Sequence, residues 1–86
     1  MDELTQAVNL ALDQAKDEKT EGELATQLGV DRMTLWRWRN GRFSQAFRML
    51  MPITVMVGTP LPPGAADQAT DIRVLAPLLA MPHIDT

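Results

Sequence analysis

Arg32, Arg37, Arg39, Arg42 and Arg48 fall within 17 consecutive residues that contain neither an acid nor a lysine. An arginine is always charged, and its planar fork of donors suits bidentate hydrogen bonding to phosphates and to the O6/N7 edge of guanine. The opposing reading is a solvated helix face balanced by acids elsewhere in the chain. Residues 1–31 do carry eight acids against Lys16 and Lys19, a net of −6, while residues 32–48 net +5 and residues 49–86 net −2. The overall charge of −3 would speak against a polyanionic ligand if averaged over the surface. Phosphate binding answers to the local field, and that field is concentrated here.

Other chemistries are poorly supplied. With 86 residues there is room for one small domain. The absence of cysteine removes disulfides, thiolate zinc sites and cysteine nucleophiles, and His83 is the single histidine. No nucleophile–base pair, metal set or phosphate loop can be assembled, so neither an enzyme nor a cofactor is expected. His83 itself reads as a solvated tail residue. The acidic opening Met1-Asp2-Glu3 is unlike a secretory signal. The longest uncharged run, Met49 to Ala66, holds four prolines and two glycines, which no membrane-spanning helix tolerates. A cytoplasmic protein is the expectation.

The elements that must carry the arginines are helical. Leu4, Val8, Ala11, Leu12 and Ala15 form one apolar stripe over Glu3 to about Asp17, with an acidic first turn and Lys16 near the end. Thr20-Glu21-Gly22-Glu23 fits a capping box for a second helix, whose buried stripe is Leu24, Ala25 and Leu28 and whose C-cap is Gly29. Asp31 can cap a third helix from Arg32 to about Asn40, closed by Gly41. In it Leu35 and Trp38 face inward with Val30, leaving Arg32, Met33, Trp36, Arg37 and Asn40 outward. Ser44 can cap a fourth helix through Gln45–Met51, which Pro52 would kink or end. Ile53–Val57 reads either as a short strand or, preferably, as continued helix. Residues 58–64 (GTPLPPG) suit a polyproline II loop, and Asp67–Ala80 a last helix interrupted by Pro77, with a frayed end after it. The sum is an all-α bundle of four to five helices.

Two short helices joined by a Gly-Val-Asp turn carry the specific signal. Ala25 is small where the helices must cross, Gly29 supplies the left-handed turn, Val30 plugs the junction, and Leu35 and Trp38 lock the second helix on the first. The stretch ELATQLGVDRMTLWRWRNG, Glu23 to Gly41, resembles the helix-turn-helix of the Cro/CI-type (XRE-type) repressor family. That family's pattern reads roughly E-L-A-x-x-L-G-V-[ST]-x-x-T-[IV]-x-x-W-x-x-G. Glu23, Leu24, Ala25, Leu28, Gly29, Val30, Thr34, Trp38 and Gly41 match it, and Leu35 is a conservative replacement. With the first helix and Ser44–Met51 the resemblance covers about half of the chain. Asp31 departs from the usual Ser or Thr, as a structural cap or as an acceptor from a cytosine amino group. Trp36 replaces a small polar residue, to meet thymine methyls or the sugar-phosphate backbone, or to be covered by a partner chain.

The resemblance implies a lambda-repressor-like fold whose third helix enters the major groove of double-stranded DNA. Arg32 and Arg37 would then contact guanines, with Met33 and Trp36 beside them on base edges. Arg39, Asn40, Arg42 and the backbone amides of Thr20 or Glu21 would hold phosphates. For each arginine the alternative is an ion pair with the acidic first helix. Residues 1–51 would form the DNA-binding domain and residues 52–86 a dimerisation extension, since Met49–Val57 and Leu75–Leu79 are more apolar than the domain requires. A homodimer on a two-fold operator, repressing or activating a phage-like promoter, is the leading expectation. The alternatives are an adaptor that binds a protein such as RNA polymerase or a toxin, and an architectural factor that bends DNA.

Overall fold

The first helix, α1 (Glu3–Lys16), begins where Asp2 caps it, the Thr5 amide donating to Asp2 Oδ1 at 2.8 Å. On its apolar stripe Val8 and Leu12 are wholly buried, with Ala11 beside them and Leu4 and Ala15 at the margin. It stops one residue before the sequence expectation. Asp17 turns to φ 53°, and its amide bonds back to the Asp13 carbonyl at 3.0 Å. The computed structural model describes residues 2–58 and 60–80. The expected frayed end and the solvated His83 therefore lie outside the described residues.

In α2 (Glu21–Leu28) the capping box forms in full: the Glu23 amide donates to Thr20 Oγ1, and the Thr20 amide to Glu23 Oε1, both at 3.1 Å. Gly29 then takes the left-handed conformation, φ 75°, and the Val30 amide reaches back to the Ala25 carbonyl at 3.0 Å. That backbone pattern closes a helix and reverses the chain within one residue. Asp31 at once caps α3 (Arg32–Arg39) by accepting the Thr34 amide at 2.7 Å. Asn40 closes α3, and Gly41 lies beyond it at φ 77°, where a Cβ would stand 2.7 Å from Thr5 Oγ1. The close approach of α1 to the end of α3 depends on that missing atom.

Ser44 caps α4 (Gln45–Val57), its hydroxyl accepting from the Phe47 amide at 3.1 Å. The strand alternative for 53–57 is not what forms. Helix continues through Pro52 to a left-handed Gly58 cap. Proline removes the donor to the carbonyl four residues back, here Arg48, an exposed residue whose carbonyl water can satisfy. The loop differs from the extended polyproline expectation. Pro62–Gly64 turns, the Ala65 amide donating to the Pro62 carbonyl at 3.1 Å, and leads into a 3-10 helix at Ala65–Asp67. Ala65 is buried there, which draws the loop onto the domain. The last helix, α5 (Thr70–Ala80), consequently starts three residues later than expected, and it runs through Pro77 without interruption.

Among the described residues the chain is all-α, with five α-helices, one 3-10 helix and no strand. One core unites them: Val8 and Leu12 of α1, Leu24 and Ala25 of α2, Leu35 and Trp38 of α3, Phe47 and Met51 of α4, and Ile72, Leu75 and Ala76 of α5. Ile72 and Leu75 are completely buried. At ~1.5–3 kcal/mol per side chain, these two alone stabilise the fold by an amount comparable to a small domain's whole margin. Residue 52 thus lies inside a helix, and α5 is part of the domain that α1–α4 build. The apolar surplus at Met51, Leu75 and Ala76 is used internally, while Met49 remains 65% exposed.

Candidate nucleic-acid interface

The outward face of α3 follows from the inward one. Leu35 and Trp38 are buried, so residues 32, 33, 36 and 37, separated by three and four positions, form a continuous stripe on the opposite side. Arg32 and Arg37 are exposed, Met33 is 57% exposed and Trp36 52%. Neither arginine takes part in an ion pair among the described residues. Arg42, just past the helix, extends the same surface: its guanidinium lies 5.7 Å from the centre of the Trp36 ring, within cation–π range. Asn40, also exposed, donates from Nδ2 to the Trp36 carbonyl at 2.8 Å, so that part of its side chain completes the end of the helix. The acid nearest this surface in sequence is Asp31. Its carboxyl is held below the usual aspartate range, chiefly by the hydrogen bonds from Thr34 and with help from the Arg37 charge.

Arg39 departs from the sequence expectation. It points away from the stripe and ties three helices together. Nε and Nη2 donate to the two oxygens of Glu21 at 3.0 and 2.6 Å, and Nη1 lies 2.9 Å from both Asn9 Oδ1 and Asp13 Oδ1. Burial opposes the Arg39 charge, and the hydrogen bonds and charges of Glu21 and Asp13 more than offset it, leaving the guanidinium pKa above its ordinary value. A phosphate would have to displace two carboxylates to reach it. The paired-arginine alternative is the one the geometry adopts here, and it holds for Arg48 too, which bonds the Gly41 carbonyl, stacks 5.6 Å over the Phe43 ring and lies 4.0 Å from Asp2. The Thr20 amide is likewise occupied by Glu23 Oε1, and the Glu21 carboxylate by Arg39, with Lys16 at 3.8 Å. The Thr20 amide is therefore engaged within its capping box, while these contacts of Glu21 involve its carboxylate and not its amide.

Two residues outside the sequence reading prove central to positioning. Asn9 receives Arg39 Nη1 and, through its own Nδ2, donates to the Arg39 carbonyl at 2.9 Å and the Thr5 carbonyl at 3.0 Å. It pins the C-terminal end of α3 to the middle of α1. Its signal was a polar residue at the edge of the α1 stripe, one helical turn from Thr5. Asp71, 4% exposed, accepts the Ser44 amide at 2.5 Å, the Ser44 hydroxyl at 2.8 Å and the Ile72 amide at 2.9 Å. It joins the start of α5 to the start of α4.

Of the residues expected to build the turn, Ala25, Leu35 and Trp38 are buried, Gly29 and Gly41 are left-handed, and Val30 is half-buried against the core that contains them. Among the described residues no three metal-ligating side chains converge, and no helix is long and apolar enough to cross a membrane. Comparison with protein-family models, with curated proteins and with solved structures finds no match to this chain.

Proposed function

We propose that the chain is a sequence-specific double-stranded DNA-binding regulator of the Cro/CI-type helix-turn-helix class, reading the major groove with α3. The observation that carries this reading is the division of the arginines. Arg39 is drawn into a half-buried network with Glu21, Asn9 and Asp13, and Arg48, though exposed, bonds the Gly41 carbonyl, while Arg32, Arg37 and Arg42 stand exposed on one surface without ion-pair partners among the described residues. A cationic outer face on a short helix that presents its first turn to solvent is suited to a groove lined by phosphates. In this pose Arg32 and Arg37 meet base edges and Arg42 meets the backbone.

An eight-residue helix spans only a few base pairs, so specificity calls for two copies about 34 Å apart on a two-fold site. The surface around exposed Met49, which forms a recess with Ala46, Leu50, Pro62 and Gln68, is the surface we assign to that pairing. The half-exposed Trp36 favours a second reading, an adaptor that buries the indole against a protein.

Enrichment of random duplexes, at salt between about 50 and 200 mM, separates the two. A two-fold motif whose affinity falls steeply with salt supports the regulator. Arg37→Ala should then erase preference at one position of each half-site, at ~1–3 kcal/mol. Absence of any enrichment, even at low salt, rejects the regulator and leaves the adaptor.

A further inference from the structure

Resting on that reading, we propose that Trp36 and Met33 form a reader for the C5-methyl group of thymine in the major groove. These are two of the largest exposed apolar side chains, at 52% and 57%. They lie three residues apart on α3, which sets them side by side, and with Arg32 they line a single shallow recess. Arg42 stacks over the indole at 5.7 Å, so the ring leans on a cation instead of sweeping freely through solvent.

The surroundings select the occupant. Arg32 lines the recess, Arg42 stacks on its Trp36 wall and Arg37 is exposed on the same helix, all three without ion pairs among the described residues, and the carboxylate of Asp31 is committed to the Thr34 amide. The ligand must therefore bring a small apolar group framed by anions. Thymine presents a methyl group next to an acceptor oxygen, between two rows of phosphates, and of the four bases it alone offers an apolar group to the major groove. A protein covering the indole would have to supply several acids at the same place. The Arg42 stack has a further consequence: it holds the apolar surface of the ring beside a phosphate-seeking cation, so base contact and backbone contact are made in one register.

The test uses the whole chain and a duplex recovered by enrichment, with thymines replaced one at a time by deoxyuridine, a change that removes only the methyl group. Affinity should weaken about fourfold at one or two positions of each half-site, the worth of one buried methyl, and stay unchanged elsewhere. In Trp36→Ala and in Met33→Gln that thymine-to-uracil ratio should fall to about one, with the helical circular dichroism retained because both side chains lie outside the core. A ratio of one at every position in the unaltered protein, with duplex binding intact, overturns the inference and assigns the recess to a protein partner. Failure of every duplex to enrich overturns the regulator reading beneath it, and this inference with it.

Discussion

Replacing Arg39 by Gln distinguishes a residue that positions the reading helix from one that touches DNA. The guanidinium side chain is 20% exposed, against 36% for Glu21 and 64% for Asp13. The Asp13 pair therefore sits near the surface limit of ~0.2–1 kcal/mol. The two-pronged contact to Glu21 and the bond to Asn9 lie between that limit and the ~1.5–3 kcal/mol of a buried charge-assisted bond. Taken together, and allowing water to rescue the exposed edge of Glu21, the loss is about 2 kcal/mol. For a chain of this size that lowers Tm by about 8–16 °C. Thermal unfolding followed by circular dichroism measures it, and the gap should narrow as salt screens the outer contacts. Duplex binding supplies the second half of the assay. Once temperature is low enough for the variant to be folded, the slope of log affinity against log salt should equal that of the unaltered protein, because no phosphate contact is removed. An unchanged Tm together with a slope reduced by about two, one phosphate contact in each copy of the dimer, would refute the network and return Arg39 to the phosphate role the sequence suggested.

Asp71→Asn should cost about 2 kcal/mol in urea unfolding, because the amide group must face either the Ser44 amide or the Ser44 hydroxyl and Ile72 amide, setting donor against donor where a carboxylate accepts from all three; an unaltered urea midpoint would show that these bonds do not form. Gly41→Ala should destabilise more than Gly29→Ala, although both residues have φ near +75°, since the added Cβ meets Thr5 Oγ1 at 2.7 Å in the first case and nothing within 4 Å in the second. Equal losses, each near the ~1 kcal/mol of a strained φ alone, would mean that α1 and the end of α3 are not in close contact. Asp2, Glu23 and Asp31 have pKa values held below the ordinary carboxylate range by hydrogen bonds from Thr5, Thr20 and Thr34. Their contribution is thus complete above the unfolded-chain value of about 4 and is lost as pH falls through the lower folded values. Tm should hold level from about pH 7 to 5 and drop below about pH 4, and Asp31→Asn, which can still cap, should flatten part of that drop.

What the sequence discloses about this fold is what depends on neighbours within four residues. The caps at Thr20, Asp31 and Ser44, the left-handed Gly29 and the inward pair Leu35 and Trp38 are all local, and each is found where periodicity and capping chemistry place it. The start of α5 and its place in the core were hidden because they rest on Asp71 meeting Ser44, 27 residues away, and on Ala65 folding under the loop. Passage of two helices through Pro52 and Pro77 depends on whether water can reach the carbonyls left without donors, which no local rule records. The arginines show the same division. Helical period places Arg37 outward with Arg32 and Trp36, but it does not show what Arg39 meets; Asn9, Asp13 and Glu21, lying 18–30 residues earlier, draw Arg39 in. Composition therefore overstates the binding charge. With Arg39 held in its three-helix network and Arg48 bonded to the Gly41 carbonyl beside Asp2, the five arginines of residues 32–48 leave three that are exposed and without such partners among the described residues. If all three met phosphates in both copies of a dimer, the salt slope would reach about 5 at ~0.9 per phosphate, where a count of all five arginines would give about 9. Arginines that read bases subtract from the smaller figure. A shallow slope joined to strong base preference is therefore the signature this arrangement predicts, and a slope near 9 would require the internal pairs to open on binding.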